Sequence, residues 1–169
     1  SHFLFFWFVM SRVWVAGGGV SPFLLPHEKR KESGGVDGKL TYIDTGKMAV
    51  ARALEDAGVE AGEVEVGVCS FCYCATTAGQ AVLYRAGIRG VPVFNTNNNC
   101  SSGSSAIHLA ARMIKSGERD VVLVLGFEQM ERGLSEPFPE KPSPTSVQTQ
   151  GMRALGLDPQ PLPRQNQFT

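Results

Sequence analysis

The sequence carries no net charge. Its 16 Lys and Arg residues are matched by 16 Asp and Glu, so no global field steers the chain toward nucleic acid or an anionic membrane, and no nucleic-acid partner is expected. A disulfide framework is missing too. Cys69, Cys72 and Cys74 crowd into "CSFCYC" and Cys100 stands alone, which points to a reducing compartment rather than a secreted scaffold. Cys69-x-x-Cys72 lacks a second ligand pair, and His27 and His108 fall at no ligand spacing, so no metal is expected. Long apolar runs are absent. "SHFLFFWFV", residues 1–9, falls well short of the about 20 residues that a bilayer-spanning helix needs. It also lacks the basic start and small-residue cleavage site of a signal peptide. Two accounts of it stand: a non-native or disordered extension ahead of a start at Met10, or a hydrophobic anchor. The triplet Gly17-Gly18-Gly19 does not follow the Gly-x-Gly-x-x-Gly spacing, and Pro22 and Pro26 bar a following helix. It reads as a turn, not a dinucleotide site.

What remains is a globular composition, with 43% hydrophobic and 19% charged residues in 169 positions. That is enough for one domain with a sizeable core. "RVWVA", Arg12 to Ala16, reads as a strand, and His27 to Lys39 as an exposed loop. The Lys29-Arg30-Lys31 cluster there is either a solvated surface or a contact for a phosphorylated ligand. Asp44 is expected to cap a helix running to about Ala57, stopped by Gly58. Val64 to Phe71 reads as a strand, Ala78 to Ala86 as a helix, Val91 to Thr96 as a strand and Ser104 to Ser116 as a helix. Asp120 to Phe127 is a near-continuous apolar run, predicted as a strand covered on both faces. Alternation of this kind predicts an α/β fold with a parallel or mixed sheet. From Leu134 the chain turns proline-rich. The expected division is therefore 1–9 as extension, 10–133 as the main domain and 134–169 as an incomplete excursion.

One cysteine sits where chemistry is expected. In "NTNNNCSSGSSA", Cys100 follows a strand and precedes a helix, whose free N–H groups and dipole stabilise a thiolate. Ser101, Ser102 and Gly103 keep the surroundings small, so that a substrate can approach. The plainer alternative is that Ser101 or Ser102 caps the helix and Cys100 is merely a small buried residue. Asn97, Asn98 and Asn99 either brace a functional loop or form an ordinary turn.

The longer string "VPVFNTNNNCSSGSSAIHLAARMIKSGERDVVLVLGFEQMERG" resembles the nucleophile segment of thiolases, most of all the sterol-carrier-protein type. "RVWVAGGGVSPFLLP", "GKMAVARALEDAGV" and "CYCATTAGQAVLYRAGIRGVPV" are similar to the segments that precede it. The likeness covers Arg12 to Gly133. It implies a thiolase-like N-terminal half, a mixed five-stranded sheet with helices on both faces, ending within the family's loop domain. It further implies that Cys100 accepts the acyl group when a 3-oxoacyl-CoA is cleaved by CoA, or in the reverse condensation. Cys100 would lend its N–H to an oxyanion hole, with Asn98, Asn99, Ser101 and Gly103 in support. CoA would be a substrate, and no cofactor is implied.

The family also uses a histidine and a second cysteine from its C-terminal half, and neither motif occurs in this sequence. His108 lies eight positions beyond Cys100, about 12 Å along a helix, against the roughly 3 Å that proton transfer requires. The chain is therefore expected to be inactive alone. The alternatives are a noncatalytic protein that binds acyl-CoA or a thiolase partner, and a ketoacyl synthase, which the string "NNNCSSGS" with "LGFEQM" disfavours. Acyl-CoA and CoA as ligands, a homodimer, and a peroxisomal or cytoplasmic setting complete the expectations that the likeness carries.

Overall fold

The computed structural model describes residues 12–23, 40–129 and 151–157. The chain falls into two units, residues 1–131 and 132–169. Of the second, the described part is one helical turn within 151–157, closed by the Leu155 N–H donating to the Gly151 carbonyl at 3.2 Å. Residues 1–9, His27, Lys29 to Lys31 and the proline-rich stretch after Leu134 lie outside the described residues.

In the first unit, helix α1 (Tyr42–Ala57) is followed by β1 (Val66–Ser70), α2 (Ala78–Arg85), β2 (Val93–Thr96), α3 (Ser102–Lys115) and β3 (Val122–Gly126). The start of α1 corrects the expected cap. Thr41, not Asp44, occupies the cap position, and Asp44 sits three residues in, completing a reciprocal pair. The Thr41 hydroxyl accepts from the Asp44 N–H at 3.4 Å, and the Asp44 carboxylate accepts from the Thr41 N–H at 2.9 Å. Two orphan donors are satisfied at once. The bonds from Thr41 hold the Asp44 carboxyl below its ordinary range. This contribution is present above the ordinary carboxylate pKa and disappears as the pH falls below it. Replacing Thr41 by Ala is expected to cost about 1 kcal/mol, read as a lowered urea midpoint. At the other end Gly58 takes a left-handed φ of 64°, a conformation that admits glycine without strain.

The sheet has the order β2-β1-β3, with both pairs parallel. Gly67 faces Val93 on one side and Leu123 on the other. Alternation along β1 sorts its side chains onto two faces. Val66 and Val68 pack with Ala106, Ala110 and Met113 of α3. Cys69 packs with Val50 of α1, Val82 and Leu83 of α2, Ile88 and Leu125. Helices thus cover both faces, α1 and α2 on one and α3 on the other.

The α/β fold is as expected, and the described residues hold a three-stranded, wholly parallel sheet. Two other expectations need correction. "RVWVA" is not a strand: β propensity needs a neighbouring strand to pair with, and none flanks this segment among the described residues. Trp14 and Val15 are 74% and 92% exposed. The segment instead runs along α1, where the Gly18 N–H donates to Asp56 at 2.9 Å and Arg52 donates to the Val20 carbonyl. A side chain at Gly17 would press on the Ala57 backbone, and one at Gly19 on Ala49 and Ala53, so these glycines serve close packing. Finally, β1 is the fully buried strand. β3 lies at an outer position, and of its residues Leu125 alone is buried.

Candidate active site

Because all three strands run the same way, their carboxyl ends share one rim, where ligands gather in open α/β sheets. Residues 71–77, 97–101 and 127–129 leave from that rim, so the site is assembled from three stretches distant in sequence.

Cys100 lies in the second stretch and is exposed, which removes the reading of a small buried thiol. It stands two residues ahead of α3. The turn before the helix is built by main chain: the Ser101 N–H donates to the Asn98 carbonyl and the Ser102 N–H to the Asn99 carbonyl, both at 3.0 Å. Asn99 adopts φ 52°, a left-handed conformation that Asn accepts more readily than most residues. Asn98 donates through its side chain to the Ser105 hydroxyl at 3.0 Å, fastening the loop to the first turn of the helix. Asn97 accepts from the Asn99 N–H at 3.1 Å and donates to the Cys72 carbonyl at 3.3 Å. The three asparagines therefore form a bonded loop, not a string of independent turn formers. Ser101 is the cap residue of α3, yet its side chain makes no capping bond. A Cβ added at Gly103 meets nothing within 4 Å, so within this chain the position does not demand glycine.

Two residues hold this loop: Ser102, read from the sequence only as a small neighbour or a helix cap, and Glu128, which the sequence did not single out. Ser102 is 5% exposed. Its hydroxyl accepts from the Asn98 N–H at 2.8 Å and donates to the Asn99 carbonyl at 2.7 Å. Glu128 follows β3, and its carboxylate accepts from the Cys72 N–H at 2.7 Å and the Tyr73 N–H at 3.1 Å. The signal for Glu128 was its place just past the end of an apolar strand, on the rim where Cys72 and Cys100 also lie. Its neighbours continue the bracing. The Phe127 ring stacks on Tyr42 and Phe71 with centroids 5.4 and 5.1 Å apart, and Gln129 accepts from the Tyr42 N–H at 3.0 Å.

The other cysteines differ in kind. Cys69 is core, and burial pushes its thiol up to about 12. Cys74 is also pushed up to about 12, first by burial and then by the charge of Glu128, whose oxygen lies 3.6 Å from the sulfur. Cys72 lies beside the site, its thiol donating to the Asn99 carbonyl at 3.1 Å in the turn before Cys100. His108 is exposed along α3 and belongs to none of the three rim stretches. No group of acidic, His and Cys residues suited to a metal occurs among the described residues. None of their helices is long and apolar enough to cross a membrane.

The model of the N-terminal domain of thiolases matches residues 28–148. The chain belongs to the thiolase family. "Sterol carrier protein 2" of Oryctolagus cuniculus is 37% identical over 80% of this thiolase chain and 24% of its own length. "Non-specific lipid-transfer protein-like 2" of Caenorhabditis elegans is 34% identical over 91% of the chain and 37% of its own length. The chain thus spans between about a quarter and two fifths of these relatives. An "Acetyl-CoA acetyltransferase" of Pseudomonas aeruginosa is 32% identical over 60% of the chain. Among solved structures, the priming β-ketosynthase of the R1128 polyketide pathway aligns with a TM-score of 0.50 and 30% identity. That alignment covers 53% of this chain and 28% of the other. The thiolase-like α/β architecture therefore rests on both sequence and fold.

Proposed function

We propose that this thiolase chain supplies the nucleophile of an acyltransferase that cleaves 3-oxoacyl-CoA with CoA, or runs the reverse condensation. The observation that carries the reading is the exposed Cys100 at the carboxyl rim of a parallel sheet, one residue before the cap of α3. Its thiolate attacks the 3-oxo carbonyl, and the bond between the α and β carbons breaks. The shortened CoA ester leaves once its α carbon is protonated. The acyl group, held on sulfur, then passes to free CoA. Splitting the reaction around a covalent intermediate replaces one difficult step with two easier ones. The Cys100 N–H faces the developing oxyanion, where a fixed donor stabilises charge more in the transition state than in the substrate. Asn98 and Asn99 shape the turn that sets this N–H. Ser101 and Gly103 leave room for the acyl chain.

No side chain on the described rim matches the base that thiolysis needs, so a polypeptide segment other than this chain has to bring it, and a homodimer is the proposed assembly. CoA and acyl-CoA are the ligands, and no cofactor takes part. The relatives' names suit lipid metabolism and lipid transport, and a peroxisomal or cytoplasmic setting is part of the proposal. The lack of a matching base on the described rim favours one other reading, a noncatalytic protein that binds acyl-CoA or a thiolase partner.

The 169-residue chain incubated with acetoacetyl-CoA and CoA is expected to release no acetyl-CoA above buffer. An electrophilic acyl thioester is expected to acylate Cys100, located by peptide mass mapping. Robust thiolysis would contradict the need for a base from elsewhere, and acylation at Cys72 in place of Cys100 would sink the nucleophile assignment.

A further inference from the structure

We infer that Glu128 is a positioning residue for Cys100, acting through the Cys72–Tyr73 turn. The inference rests on Cys100 being the acyl acceptor, and it adds a part to the machinery that the proposed reaction does not name. A continuous path of bonds joins the two residues. The Glu128 carboxylate accepts from the main-chain N–H groups of Cys72 and Tyr73 at 2.7 and 3.1 Å, bonds that span more than fifty positions of sequence and are charge-assisted. The turn so held reaches the nucleophile loop at two points. The Asn97 side chain donates to the Cys72 carbonyl at 3.3 Å, and the Cys72 thiol donates to the Asn99 carbonyl at 3.1 Å. The same Asn99 carbonyl takes the Ser102 N–H at 3.0 Å and the Ser102 hydroxyl at 2.7 Å. Three donors from two elements thus converge on the peptide oxygen that immediately precedes Cys100.

This convergence explains how a left-handed Asn99 can be held one residue before a nucleophile. The acceptor fixes the peptide plane between Asn99 and Cys100, and with it the direction of the Cys100 N–H. Glu128 is therefore more than a surface carboxylate on the rim. It sets the height of Cys72, and Cys72 sets the Asn99 peptide. Phe127 and Gln129, stacked on and bonded to Tyr42, anchor the backbone from which Glu128 extends.

Amide hydrogen exchange on the folded chain tests the path. Glu128→Ala is expected to speed exchange about tenfold at Cys72, Tyr73, Ser101 and Ser102, as loss of charge-assisted bonds implies, while Val66 to Ser70 keep their protection. Glu128→Gln, which retains one acceptor oxygen, restores most of the protection. Cys72→Ala, which also serves should Glu128→Ala fail to fold, is expected to speed exchange at Ser101 and Ser102 without touching Tyr73. Acylation of Cys100 by acetyl-CoA, followed by mass, is expected to slow about tenfold in Glu128→Ala and to recover in Glu128→Gln. Faster exchange confined to residues 72–73 in Glu128→Ala overturns the inference, as does unaltered protection of Ser101 and Ser102 in Cys72→Ala. If wild-type Cys100 takes no acyl group, the acyl-acceptor reading fails by itself, and the exchange results still decide whether Glu128 governs the turn.

Discussion

Near pH 8, Cys69 in the folded chain is expected to react with iodoacetamide on the order of 1,000-fold more slowly than the same thiol after denaturation. The reacting species is the thiolate, and burial moves the Cys69 thiol from its ordinary 9.0 to about 12. Each tenfold change in equilibrium corresponds to one pH unit, so the thiolate population falls by about three powers of ten. Blocked access adds to the delay. Cys74 is shifted similarly but is half-buried, so water screens part of the effect and its protection is smaller. Exposed Cys100 is expected to label first. Quenched samples resolved by peptide mass give the order directly, and Cys69 labelling as fast as Cys100 would refute the burial. The same shifts set a pH dependence. A thiol kept protonated by folding stabilises the native state fully below its unfolded pKa. The stabilisation is lost as the pH rises from 9.0 toward about 12. Unfolding free energy should therefore decline steadily over that alkaline window.

Leu83→Ala is expected to cost about 2–5 kcal/mol in unfolding free energy, the range for removing a fully buried leucine. Leu83 has no exposed surface and belongs to the cluster that joins α1, α2 and the sheet. Its methyl sits where a side chain at Gly67 would be, so β1 is glycine at that position because α2 sends leucine into the space. Truncation empties that pocket, and the rigid strand pairs on either side of Gly67 resist closing it. Against a typical domain stability of about 5–15 kcal/mol, such a loss leaves a marginal fold. A urea titration checks it: a change below about 1 kcal/mol would show that the helix slides in to refill the gap.

The helices and the order of elements were legible because their signals are local. α1 ends at Gly58 as read, and α2 and α3 lie within two residues of expectation. The loop that carries Cys100 was legible as well, since the cysteine is framed by a strand, asparagines and small residues in one stretch. The remainder depends on pairing across distance. "RVWVA" has strand composition, but composition cannot supply a neighbouring strand, and the backbone just after it, at Gly18 and Val20, is bonded to Asp56 and Arg52 of α1. The apolar run of β3 looked more central than that of β1, because central placement is decided by which strand sits between the other two. Glu128 and Cys72 stayed hidden for the same reason. Their nearness to Cys100 exists only once β1, β2 and β3 are set side by side and parallel. Ser102 looked like one serine among several, and its burial alone separates it from Ser101 and Ser104.

The single direction shared by the strands also leaves the molecule with an idle margin. The connections that return from helix to strand, at residues 58–65, 86–92 and 116–121, all lie opposite Cys100. A dye, an affinity handle or a short graft placed on that far margin reports on the folded state while leaving the bonds around the Asn99 peptide untouched.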